Sequence, residues 1–206
     1  LMSPGGATVD WLVGLFYSSE DIERREGFNF PTLGGTGPNA NSVYDSLQDL
    51  DGESWAAFAQ GTWNVSEQLA LTAGLRYSND DKTFTAENVA TSGPGLLIRA
   101  FAPVTASDSW SNVDWRIAAD YRATDDILLY ASIATGYKAG GFPGSPTTAR
   151  SATTSFDEET VTSYELGMKS DLLERQLRLN VALFQTDIED LQVTRFFQPA
   201  TSSFGE

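Results

Sequence analysis

The sequence predicts an all-β chain, an antiparallel meander of about seven membrane-crossing strands. Three observations predict it. Apolar and polar residues alternate in runs of about nine to eleven residues. The connections between runs are short, then long, in strict turn. No stretch approaches the ~18–20 consecutive apolar residues of a transmembrane helix, and the mean hydropathy is −0.24. A membrane protein this polar crosses with strands, because their lipid-facing and lumen-facing residues alternate.

The elements follow in order. In residues 11–17, Trp11, Val13, Leu15 and Tyr17 share one face. In 55–63, Trp55, Ala57, Ala59 and Trp63 oppose Ser54, Gln60 and Thr62. In 69–77, Leu69, Leu71, Ala73, Leu75 and Tyr77 alternate with Ala70, Thr72, Gly74 and Arg76. The clearest run is 112–121, where Val113, Trp115, Ile117, Ala119 and Tyr121 alternate with Asn112, Asp114, Arg116, Ala118 and Asp120. In 127–137, Ile127, Leu129, Ala131, Ile133 and Tyr137 oppose Ser132, Gly136 and Lys138. Tyr164, Leu166 and Met168 oppose Ser163, Glu165, Gly167 and Lys169. Leu177, Leu179, Val181 and Leu183 oppose Arg178, Asn180 and Thr186, and this last strand is expected to continue past Asp187 to Val193 through a bulge. The acidic start of 155–170 suits a helix cap, but its clean alternation favours a strand.

The turns at 64–68, 122–126 and 170–176 are short. The connections at 18–54, 78–110 and 139–160 are long and rich in Gly, Pro, Ser, Thr, Asn and Asp. Short periplasmic turns and long extracellular loops are the habit of outer-membrane barrels. Odd strands then rise and even strands fall. This puts Trp11, Trp63 and Tyr121 at the periplasmic interface and Tyr17, Trp55, Tyr77 and Tyr137 at the extracellular one, where aromatics with polar tips concentrate.

Composition narrows function. The chain has no Cys and no His, so disulfides, thiolate metal sites and His-based catalysis are excluded for these residues. Asp and Glu number 28 against 13 Lys and Arg, a net charge of −15 that offers no basic face to nucleic acid. No Asp-x-Asp-x-Asp-Gly loop is present, so the acidic clusters read as solvated charge or as divalent contacts to lipopolysaccharide, and neither metal nor cofactor is expected. The opening Leu1-Met2-Ser3-Pro4-Gly5-Gly6 has no signal-peptide character, so a longer precursor is expected.

Four stretches resemble the TonB-dependent receptor family of Gram-negative outer membranes. They are Leu69-Ala70-Leu71-Thr72-Ala73-Gly74-Leu75-Arg76-Tyr77, the run from Leu129 through Tyr137-Lys138-Ala139-Gly140-Gly141-Phe142, Tyr164-Glu165-Leu166-Gly167-Met168-Lys169-Ser170, and the run from Ala182 to Val193. The resemblance implies that residues 1–206 are part of a barrel of about 22 strands, without its plug, its TonB-contacting box and its closing strands. It implies active import rather than catalysis, with TonB and a ferric siderophore as partners. The Tyr137–Phe142 motif points to the siderophore subgroup. Loop aromatics Phe28, Phe30, Tyr44, Phe84, Phe101, Phe142 and Phe156 then either contact ligand or pack the loops. Arg24, Arg25, Arg99 and Arg150 either meet an anionic ferric complex or are solvated. Lumen charges such as Arg76, Arg116 and Arg178 are expected to pair with lumen carboxylates or the plug. Two other classes fit the alternation: a soluble β-sandwich lectin-like module and a passive outer-membrane channel. An uncovered apolar face on one continuous sheet would remove the soluble module.

Overall fold

A computed structural model describes residues 1–30, 42–92 and 100–193. Its strands are β1 (Val9–Phe30), β2 (Ser42–Asn64), β3 (Leu69–Ser92), β4 (Phe101–Thr124), β5 (Ile127–Lys138), β6 (Glu159–Leu172) and β7 (Leu177–Glu189). A single helical turn, α1 (Ala149–Ala152), lies between β5 and β6. The strands form one antiparallel sheet in the order β1-β2-β3-β4-β5-β6-β7. The meander and its short turns are therefore as expected. The β6–β7 turn sets Leu173, Glu174 and Arg175 at positive φ. Before β1, Gly5 and Gly6 take φ of 83° and 77°. Few other residues tolerate that conformation, and it turns the chain so that the Ser3 N–H donates to the Trp11 carbonyl at 2.9 Å.

Register explains the faces. Val13, Ala59, Leu75 and Trp115 stand opposite one another across β1–β4. Ile117, Ile133 and Tyr164 do so across β4–β6, and Leu166 faces Leu183 across β6–β7. Side chains alternate with period two, so in-register pairing collects all of these on one side. Among the described residues nothing covers that side: Leu75 is 58% exposed, Ile117 57% and Leu183 69%. Leu71, Val113, Leu129 and Leu179 are exposed there too. A sandwich would bury this face against a second sheet, so the soluble lectin-like alternative falls.

Three expectations need correction. First, much of residues 18–54 and 78–110 is strand rather than loop. β3 and β4 have 24 residues each, roughly 80 Å at ~3.3 Å per residue, against an apolar band of ~25 Å. Above the band the inner face mixes Tyr44, Leu50, Phe84 and Ala86 with Ser46, Gln48 and Asn88, and the outer face is mostly polar, so no clean period-two signal marks the ladder. It is held by backbone pairing and by cross-strand hydroxyl bonds, Thr83 with Ser107 and Thr85 with Thr105, each 2.9 Å. Second, β7 stops at Glu189, because Asp190 turns to φ 53°. Third, Tyr137 does not join the other interface aromatics. The β4–β5 ladder ends at Arg116–Ala134. Beyond it the Trp115 N–H donates to the Thr135 hydroxyl at 2.9 Å instead of to a backbone carbonyl. β5 leaves β4 there, and Tyr137 lines a cavity on the polar side.

The small buried core lies on the extension, not in the membrane band. Phe84, Ala86 and Ala152 form it, with Leu50, Phe101, Val104 and Phe142 packed around. The segment 139–158 supplies Phe142 and Ala152 and so lies on the polar face of the extended strands.

Candidate functional site

The polar face carries the chemistry. In three places an aromatic ring lies flat over a glycine with a cation over the ring. Phe58 covers Gly14, Tyr130 covers Gly167 and Trp110 covers Gly140, each so closely that a Cβ on the glycine would collide with the ring. Arg76 stands 5.8 Å from the Phe58 centroid, Lys169 5.5 Å from Tyr130 and Lys82 5.6 Å from Trp110. The glycine is what lets the ring lie down, and a flat ring presents its negative face to the cation.

Arg76 has a second ring, Phe16, at 5.5 Å. Its Nε donates to the Ser78 hydroxyl at 3.0 Å. Asp114 stands opposite it in register, yet among the described residues the two form no ion pair. Asn112 and Thr135 donate to the Asp114 carboxylate instead, at 2.8 and 3.3 Å. Phe16, Ser18, Ser54, Arg76, Asp80, Asp114 and Tyr137 wall a cavity of about 310 Å³. Ser54 donates to Asp80. The Tyr137 hydroxyl is buried there without a partner. The wall thus offers donors and acceptors side by side, with a guanidinium pinned between two rings. Lower down, the Tyr130 hydroxyl donates to Glu165 at 2.5 Å. Arg178 pairs with Asp171 at 2.6 Å, the lumen pairing expected of it.

The loop aromatics are placed as follows. Tyr44 and Phe84 are 2% and 5% exposed. Phe142 stacks on Phe84 at 5.5 Å and meets Trp110 edge-on at 6.4 Å. Phe101 packs against the same cluster. Tyr44 and Phe84 are buried, and Phe142 and Phe101 are half-buried against the Phe84 cluster. Phe156 is 40% exposed and its backbone bridges Gly141. Phe28 and Phe30 end β1, and their side chains, like all of Arg99, lie outside the described residues. Trp11, Tyr17, Trp55, Trp63, Tyr77 and Tyr121 are all exposed and share the parity of the apolar face. Arg24 donates to the Gly144 carbonyl at 2.8 Å, Arg25 pairs with Asp45 at 2.6 Å, and Arg150 is exposed on α1.

The sequence reading missed Lys82, Asn88, Trp110 and Gln192, which hold 139–158 in place. The one local signal was Gly140-Gly141 before Phe142, a place where backbone comes close to other atoms. Among the described residues, no group of three Asp or Glu is arranged to hold a metal.

Comparison with known proteins fits this architecture. A family model described as TonB dependent receptor-like, beta-barrel, matches residues 3–205. The pesticin receptor of Yersinia enterocolitica is 27% identical over 187 residues, covering 90% of this chain and 25% of the receptor. The catecholate siderophore receptor Fiu of Escherichia coli (strain UTI89 / UPEC) is 28% identical over 170 residues, 75% of this chain and 21% of Fiu. The chain thus spans about a quarter of the length of these relatives. Among solved structures, the ferric yersiniabactin uptake receptor FyuA from Yersinia pestis superposes with a TM-score of 0.70 at 24% identity, over 93% of this chain and 28% of that one. The siderophore receptor PiuA from Acinetobacter baumannii gives 0.61 at 16%, over 89% and 29%.

Proposed function

Because this chain belongs to the TonB-dependent receptor-like β-barrel family of Gram-negative outer membranes, we propose that it forms part of the wall of an active importer, driven by TonB, whose cargo is a ferric siderophore. The observation that carries this reading is the division of the sheet. One face is apolar and uncovered, as lipid requires. The other is polar and hydrogen-bonding, with a cavity walled by Arg76, Asp80, Asp114 and Tyr137. Relatives named as siderophore receptors support the cargo class. Lipid and lipopolysaccharide are the surroundings of the apolar face and of the acidic strands above it. The wall contributes shape, hydrogen bonds and charge, and no bond-making chemistry.

The test is genetic. Deleting the gene should abolish uptake of radiolabelled iron from at least one siderophore, and disrupting TonB should do the same. Iron starvation should induce the gene. Normal iron uptake from every siderophore offered, without induction, would sink the cargo assignment.

A further inference from the structure

Residues 139–158 are pinned along their length, largely through backbone carbonyls. Lys82 of β3 donates to the Gly140 carbonyl at 2.8 Å and Arg24 of β1 to that of Gly144 at 2.8 Å. Asn88 of β3 donates to the Pro146 carbonyl at 2.9 Å. Ser145 donates to Glu26 of β1 at 2.8 Å, and Ser155 donates to Asp108 of β4. α1 is fastened to itself by a capping box between Thr148 and Ser151.

The two legs of the segment meet at a narrow neck. Gly141 and Phe156 form a backbone bridge with bonds of 3.2 and 2.8 Å. Just outside it, the Gln192 side-chain amide donates to the Ala139 carbonyl at 3.1 Å and to the Asp157 carbonyl at 3.0 Å. Each carbonyl belongs to a different leg. Only an NH₂ group satisfies both, so the orientation of the amide is fixed by chemistry. The Gln192 main-chain N–H donates to Glu159 at 2.9 Å. The left-handed turn at Asp190, φ 53°, brings the chain leaving β7 back over the neck.

We propose that Gln192 is a clasp: its amide ties both legs of residues 139–158 together and holds this segment as a fixed strap. Ala139, one of the two clasped residues, also lines the cavity with Tyr137, so loosening the clasp loosens that edge of the cavity. The proposal is independent of which cargo the protein carries.

The test uses the full-length protein in detergent micelles, with hydrogen–deuterium exchange read across the chain and trypsin cleavage read after Arg150. Gln192→Glu keeps the size and replaces the donor with an acceptor facing two carbonyls. Gln192→Ala removes the group. Both should speed exchange in 140–157 by about thirtyfold, the effect of losing two hydrogen bonds of ordinary worth. Both should also hasten cleavage after Arg150, while amides in the β1–β4 ladders keep their protection. Unchanged exchange and cleavage in Gln192→Glu would overturn the proposal. So would a strap that already exchanges freely in the unaltered protein. Equal loss of protection in the ladders would also overturn it, since Gln192 would then hold the sheet and not the strap.

Discussion

Single residues on the polar face act through what stands opposite them. Gly167 illustrates this. Its register partner is Tyr130, whose ring occupies the space a Cβ would need. The ring cannot swing aside cheaply, because its hydroxyl is bonded to Glu165 at 2.5 Å. Gly167→Ala should therefore cost about 1–3 kcal/mol, as overpacking does, read as a lower urea midpoint for the full-length protein in micelles. Gly74→Ala is the control, since the nearest atoms to its Cβ would lie at an ordinary 3.6 Å. Equal losses at the two positions would show that the ring contact is not the cause. The glycine itself is plain in the run Glu165-Leu166-Gly167-Met168-Lys169. Its purpose is not, because that depends on a residue of the neighbouring strand. Arg76 was legible as a polar-face charge for the same reason that its restraint was not: alternation gives the face, but Phe16 and Phe58 come from β1 and β2. It makes no ion pair with Asp114 across the register; Asn112 and Thr135 donate to the Asp114 Oδ1 instead.

At the scale of elements, the sequence revealed strands only where one face meets lipid. The band between Trp11 and Tyr17, or between Val113 and Tyr121, was legible because apolar and polar residues alternate there. The upper halves of β1–β4 were read as loops because polar residues such as Ser46, Gln48 and Asn88 interrupt the apolar ones on their inner face, although backbone pairing continues past Asp51 and Thr83. One strand can test the distinction. Ile117 and Ser109 share a parity on β4, the first within the apolar band and the second above it. Ile117→Arg should cost about 2–4 kcal/mol, the penalty for a cation near the bilayer midplane. Ser109→Arg should stay within about 0.5 kcal/mol, as surface changes do. Folding into lipid vesicles measures both, and similar costs would mean that the band is misplaced. Tyr137 marks where the alternation rule fails: a side-chain hydroxyl takes over a backbone rung, and beyond it β5 pairs with β6 but no longer with β4.

Across the whole molecule, charge is sorted by height and side. The acidic excess gathers on the outward side of the extension, where Asp21 faces Asp51, Glu23 faces Asp49 and Glu53 faces Asp81 in register. Like charges directly opposite each other weaken a ladder, so this part of the sheet relies on its backbone bonds and on the strap across its other face. The strap also dictates timing. Every strand pairs only with its neighbours in sequence, and such contacts close short loops. The Arg24–Gly144 bond instead joins residues 120 apart in the chain. Long closures cost more entropy and come late. In refolding into vesicles, pulsed hydrogen exchange should therefore find the β1–β2 hairpin protected first and residues 140–157 last. Simultaneous protection of the two would contradict that order. Residues 139–158 thus settle onto the extended strands only after those strands have paired, and until then the apolar side chains of Phe84 and Ala86 stand open to water.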